Sequence, residues 1–146
     1  MEKNNFTNFK PYFSYRENWG DLDKVQWWHI KHLFEIRLDL MQTGNDWPMI
    51  IHCCYEKTGH SKNSFHYQGC ATDFHFQTNQ EFEEQYKKLK ITLQSLNLWN
   101  FVGLGVYPGW NNPGFHLDGR GWSLRWIKTN ENYLYGEEKI FEYIKG

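Results

Sequence analysis

Apolar residues recur along this chain with two different periods, and the switches between them divide it into elements. From Leu22 to about Met41 the run LDKVQWWHIKHLFEIRLDLM places Val25, Trp28, His32 or Leu33, Ile36 and Leu40 at helical spacing, which predicts an amphipathic helix. Asp21 is positioned to cap its start and Gly44 follows its end. The turn GNDWP leads into MIIHCCY, a short apolar run that reads as a buried strand. Residues 56–65 form a polar loop, and residues 69–77 read as a second strand. In NQEFEEQYKKLKITLQSLNLW the helical period returns through Phe82, Tyr86, Leu89, Leu93 and Leu96, with Asn79 as the expected N-cap. FVGLGVY, GFHLD and WSLRWI then read as three further strands, separated by the turns PGWNNPG and GRG. Residues 1–20 look irregular, and GEEKIFEYIKG closes the chain as a short helix or an extended tail. Strands with short returns beside helices predict the α+β class, with a small antiparallel sheet packed against helices.

Composition narrows this picture in three ways. A chain of 146 residues fits a single domain, 1–146, with one core. Aromatic residues make up 19%, enough to build that core and also to line a site for sugars or peptides. Sixteen basic against seventeen acidic residues give a net charge of −1, and without a basic patch neither nucleic acid nor an anionic membrane is an expected partner. No run approaches the length of a membrane-spanning helix. The opening MEKNNFTNFKPYF lacks the apolar stretch of a secretory signal, so synthesis in the cytoplasm without export by that route is expected. Cys53, Cys54 and Cys70 are an odd number and form no CxxC knuckle, so reduced thiols are expected rather than disulfides or a thiolate zinc site.

The candidate chemistry lies in two short stretches. In GCATDFHF the two-residue strand period sends Thr72, Phe74 and Phe76 to one face and Ala71, Asp73 and His75 to the other. A carboxylate and an imidazole beside a small alanine describe an open polar face. His66 lies seven positions before Asp73, which a regular strand would send to the opposite face; Gly69 between them can supply the bend that unites them. A zinc hydrolase needs three protein ligands and an open position, so a further ligand must come from elsewhere. GFHLDGRG offers one: His116 and Asp118 share one face of a short strand while Phe115 and Leu117 take the other. Hydrogen-bonded structural histidines would read the same way on spacing alone.

The stretch SFHYQGCATD matches S-x-H-x-x-G-x-A-x-D at Ser64, His66, Gly69, Ala71 and Asp73. It resembles the signature of the zinc D-Ala-D-Ala carboxypeptidase and L-alanyl-D-glutamate endopeptidase family, which shares its fold with the Hedgehog signalling domain. GLGVYPGWNNPGFHLDGRGWSLRW is similar to the G-x-G-x-Y-P…F-x-H-x-D…R-W pattern of the branch that cleaves peptidoglycan peptides. FSYRENWG and the segment before WPMIIHCCY agree, so the resemblance spans roughly residues 12–127.

Position by position, the resemblance implies Zn2+ held by His66, Asp73 and His116. It implies a Hedgehog/DD-peptidase-like fold and an enzyme that cleaves a peptidoglycan stem peptide or a D-amino-acid dipeptide; no feature of the sequence sets an oligomeric state, and a monomer is the expectation. A phage lysin, freed to the cell wall by a lysis system, would suit a chain without a signal peptide. Two positions depart from the pattern. Relatives place an acid three residues before the last ligand, where this chain has Pro113. That leaves Asp118 either as the general base or as the residue that orients His116, with Glu56 as a further base candidate. An arginine expected at the end of S-G-Y-R is replaced by Glu56 in CCYE, leaving Lys57, Lys62, Arg120 and Arg125 to meet substrate charge. Ser64, Arg120 and Tyr107 are the expected substrate contacts, with a cap on its own loop as the other reading of Ser64 and with Trp110 and Trp126 as candidate cleft walls. His60 and His75 are expected to be structural, and His29, His32 and His52 to pack. The alternative function is a metal-binding module of the same fold that holds cell-wall peptides without cleaving them, as a phage structural component would.

Overall fold

The structure, a computed structural model, describes residues 1–145. Its centre is a six-stranded sheet. The strands are β1 (Met49–Cys53), β2 (Ala71–Phe76), β3 (Gly103–Tyr107), β4 (Gly114–Asp118), β5 (Leu124–Lys128) and β6 (Tyr133–Tyr135). They lie in the order β1-β2-β4-β3-β5-β6. Three helices accompany them: α1 (Trp27–Gln42), α2 (Phe82–Ser95) and α3 (Glu137–Tyr143). This is the expected mixed class with a mostly antiparallel sheet. One pairing departs from expectation, because β3 and β5 are parallel. The cause is the short link after β4: it reverses the chain but carries it past β3, so β5 emerges beyond β3 and points the same way.

The strand period divides the sheet into two unlike faces. Met49, Ile51, Phe74, Phe76, Leu104, Val106, Phe115, Leu117 and Ile127 are buried and form one apolar core with Ile30, Leu33, Ile36 and Leu40 of α1 and Tyr86, Leu89 and Leu93 of α2. Each fully buried side chain of this size contributes about 1.5–3 kcal/mol. The core also takes in Phe6, Phe9, Phe13 and Trp19 from the first segment and Ile140 and Ile144 from the last. It therefore extends past residues 12–127 at both ends.

Several boundaries differ from the sequence pattern. Residues Leu22–Lys24 form a 3-10 turn capped by Asp21, and α1 begins only at Trp27. Trp28 accordingly turns outward, and His29, bonded from its Nε2 to Thr72 Oγ1 at 2.7 Å, occupies the buried face instead. Burial pushes the His29 pKa down to about 3, so it packs as a neutral ring. The α2 N-cap is Glu81 rather than Asn79. The closing segment is a helix, α3, which packs on β5. Strand β6 carries no turn-bounded apolar run and escaped the pattern; it pairs with β5 through Tyr133 and Tyr135. No helix among the described residues is long and apolar enough to cross a membrane.

Candidate metal centre

On the second face of the sheet the strand register arranges the side chains in rows. Cys53 pairs with Asp73, Asp73 with His116, His116 with Gly105, Gly105 with Trp126 and Trp126 with Tyr135. One row therefore crosses all six strands with Asp73 and His116 side by side. A parallel row joins Ala71, Asp118, Gly103 and Leu124. The glycines of β3 make room for what stands beside them. A Cβ at Gly105 would lie 2.4 Å from the Trp126 indole, and one at Gly103 would lie 2.5 Å from Arg120 Nε.

His66 arrives from outside the sheet. Ser64 Oγ accepts the His66 backbone N–H at 3.2 Å and starts a one-turn 3-10 helix, Phe65–Gln68. Gly69 ends it in the left-handed region with φ 70°. No other residue fits, since a Cβ there would sit 1.8 Å from the Lys24 carbonyl oxygen. This is the bend the spacing of His66 and Asp73 required.

The three side chains converge on one oxygen. His66 Nε2 lies 3.2 Å and His116 Nδ1 2.9 Å from Asp73 Oδ1. Their ligand atoms all fall within 4.8 Å of one another. The outer nitrogen of each ring is anchored. His66 Nδ1 donates to the Cys54 carbonyl at 2.6 Å, and His116 Nε2 bonds Asp118 Oδ2 at 2.7 Å. A neutral imidazole that donates outward presents a lone pair inward. Two such lone pairs facing a carboxylate oxygen repel unless a cation stands between them, either a proton or a metal ion. Two histidines and one carboxylate, each ring fixed by a partner on its far side, are a donor set that fits zinc.

Without an ion, protons take that place. Burial alone would lower the His116 pKa, but the hydrogen bonds and charges of Asp118 and Asp73 outweigh it and raise it to about 9. Burial would raise Asp73, yet the hydrogen bonds from His116 and His66 hold it well below the usual carboxylate range. Asp118 is held low in the same way by Arg120 and His116.

The expected site residues are not all placed for the roles they were given. Asp118 is fully buried, and its oxygens accept from Arg120 Nε at 2.8 Å, from Arg120 Nη2 at 2.7 Å and from His116. Three of its four acceptor positions are filled, which is the arrangement of a residue that orients His116 and not of a free base. Arg120 commits two donors to that pair and stacks over Phe65, 4.9 Å from its ring centre. Arg125 turns to the interior, bonding the Val102 carbonyl at 2.6 Å and lying against the Trp99 ring, so it cannot meet a ligand on the open face. Ser64 caps the turn beneath His66. Tyr107 accepts from Trp126 Nε1 at 3.1 Å and stacks on Trp110.

A cleft of about 790 Å³ opens over the centre, with His60, Lys62, Tyr107, Trp126, Tyr133 and Tyr135 on its walls. Among the described residues a neighbouring hollow of about 770 Å³, beyond Tyr107 and Tyr133, contains none of the three converging residues.

No protein-family model, curated protein or solved structure matches this chain.

Sequence reasoning missed one neighbour of the centre, Cys53, and expected of the other, His60, only a structural role. His60 stacks on His66 with ring centres 4.0 Å apart. Cys53 Sγ lies 3.5 Å from Asp73 Oδ2, and Cys53, His60 and His66 also bring ligand atoms within 4.8 Å of one another. That second grouping shares His66 with the first. Cys53 reaches the open face because β1 is irregular between Ile51 and Cys53, leaving His52 as an extra residue. A bulge leaves no mark in an apolar run, so MIIHCCY gave no signal of it. All three cysteines are free thiols, and burial pushes Cys54 up to about 12 and Cys70 to about 11.

Proposed function

We propose that this chain is a zinc-dependent peptidase acting on peptide bonds of peptidoglycan stem peptides, as a D,D-carboxypeptidase or an endopeptidase, with a Hedgehog/DD-peptidase-like arrangement of its sheet. The observation that carries the reading is the convergence of His66, Asp73 and His116 on one point at the floor of an open cleft, with both rings anchored from behind. These are the residues that the motif resemblance picks out from two distant stretches of sequence. His66, Asp73 and His116 would hold the zinc ion, which would supply Lewis acidity toward a peptide carbonyl and a water. The chain's own residues do the rest of the work. Asp118 fixes the tautomer of His116, Arg120 balances the charge of Asp118, and the Gly69 turn holds His66 in line. Lys62 is the cationic side chain on the cleft wall with no committed partner among the described residues, which supports a role for it in meeting a substrate carboxylate. Tyr107 and Trp126 give that wall a flat apolar surface for the peptide.

A specific observation favours a second reading, a metal-binding module that holds cell-wall peptides without cleaving them. Pro113 stands where the motif resemblance expects an acid, and Asp118, the nearest acidic candidate the sequence offers, is already bonded on both oxygens. Digestion of purified muropeptides separates the two. New amino groups should appear with the zinc-loaded protein and be absent with His66→Ala and with chelator-treated protein. Stoichiometric zinc together with no cleavage of any muropeptide overturns the peptidase and leaves the binding module.

A further inference from the structure

Beyond the converging triad, the open face holds a second pair of histidines that the proposed reaction does not use. His75 follows Asp73 by two residues on β2 and points to the same face. It pairs with Ile50 of β1, and His52, the extra residue of the β1 irregularity, is turned toward it. His52 Nε2 and His75 Nδ1 are 2.6 Å apart, with ring centres 4.9 Å apart. Trp110 closes one side, 5.1 Å from the His52 ring, and is itself stacked on Tyr107. Both imidazoles are half-buried, so solvent reaches them.

Two ring nitrogens at this separation cannot both carry hydrogen, so at least one presents a lone pair to the other. The pair is therefore not a clamp of two imidazolium donors for an anion. Moving the shared hydrogen to the far nitrogen of its own ring leaves two lone pairs facing one point, with no net change in protonation. Imidazole nitrogens are borderline-soft donors that select zinc, copper or nickel over calcium or magnesium. His75 is held in the β1–β2 ladder, and His52 is flanked by the paired residues Ile51 and Cys53, so little is lost in ordering them.

We propose that His52 and His75 form a second, cross-strand site for a divalent first-row transition ion, completed by solvent or substrate ligands. An ion there ties the edge strand β1 to β2. It would steady the strand end whose Cys54 carbonyl orients His66. The site does not depend on the peptidase reading, because it shares no ligand with the triad.

The test is zinc stoichiometry of the stripped, full-length protein by competition with a chromophoric chelator. Wild type should take up two equivalents, and His52→Ala and His75→Ala one each. His116→Ala should also take up one, and His75→Ala/His116→Ala none. Circular dichroism melts establish that each variant is folded, and the two single variants of the pair guard against a defect peculiar to one. Retention of the wild-type stoichiometry by either single variant overturns the proposal, as does a wild type whose single equivalent is lost in His116→Ala. Failure of the triad is distinct, since it would appear as unchanged uptake in His116→Ala. Cu2+ bound to His116→Ala should give an electron paramagnetic resonance spectrum split by two equatorial nitrogens. A spectrum with nitrogen splitting unaltered by His75→Ala overturns the assignment.

Discussion

The two imidazoles of the candidate metal centre are held by opposite means. His66 stands on a one-turn helix fixed by Gly69, and its outer nitrogen is anchored by a backbone carbonyl, that of Cys54. His116 stands in a central strand, and its outer nitrogen is anchored by a buried carboxylate that is itself pinned by Arg120. The first anchor is uncharged and cannot be removed by changing a side chain. The second is ionic and depends on three side chains remaining together. Half of the site is therefore specified by backbone shape and half by electrostatics, and the two halves should fail differently.

The largest difference is expected when the ionic anchor is removed. Asp118→Ala leaves Arg120 beside a buried hole without its partner and frees the His116 ring to rotate. Breaking a buried pair from one side costs about 3–5 kcal/mol of stability, and loss of such an anchor lowers metal affinity roughly 10–100-fold. Cys54→Ala keeps the carbonyl that anchors His66, so its metal affinity should stay within about a factor of three of wild type apart from the lost packing of the thiol. Denaturant melts and chelator competition on the two variants read both quantities. Comparable losses of affinity in the two would mean the anchors do not differ as described.

Protonation separates the halves next. In metal-free protein the His116 pKa is raised from 6.5 to about 9 by Asp118 and Asp73, against the effect of burial. A raised pKa stabilises the fold fully below the unfolded value and loses that contribution as pH climbs through the folded one. Stripped protein should thus be most stable near and below pH 6.5 on this side and lose roughly 3 kcal/mol by the time His116 has titrated, near pH 10. Asp73 and Asp118, held below 3.8, act in the other direction, and their contribution fades only as pH falls beneath that value. If the proposed zinc takes the proton's place, the loaded protein should lack the alkaline drop, and zinc affinity should rise with pH up to about 9. Denaturation of His116→Gln provides the control. An alkaline drop that persists in it would have to come from other groups.

What was legible in the sequence follows the same division. The β2 and β4 faces were readable because strand period alone separates Asp73, His116 and Asp118 from Phe74, Phe115 and Leu117, and the register then sets Asp73 beside His116. Gly69 was readable as a bend because His66 and Asp73 are an odd number apart. The role of Asp118 was not, since a carboxylate near a metal looks alike in sequence whether its oxygens are free or held by Arg120. The parallel pairing of β3 and β5 depends on where a five-residue link lands, which local pattern does not encode. His52 shares the open face with Ile50 by strand period, but Cys53 joins it only through the β1 bulge, and α1 starts late because residues 22–24 close a tighter turn first. Tertiary contacts decided each of these.

The smallest effect concerns Ser64, which the resemblance offered as a substrate contact and the structure uses as a cap. Its hydroxyl accepts the His66 backbone N–H at 3.2 Å, and loss of such a cap costs ~1 kcal/mol. Ser64→Ala should lower stability by about that amount. Its zinc affinity should change little, because Gly69 and the Cys54 carbonyl still aim His66. Any loss of muropeptide cleavage should then track the fraction of folded, zinc-loaded protein. If cleavage instead collapses while zinc content and the melt stay near wild type, the hydroxyl must reach the substrate. The backbone-specified half of the site would then be contributing chemistry as well as shape.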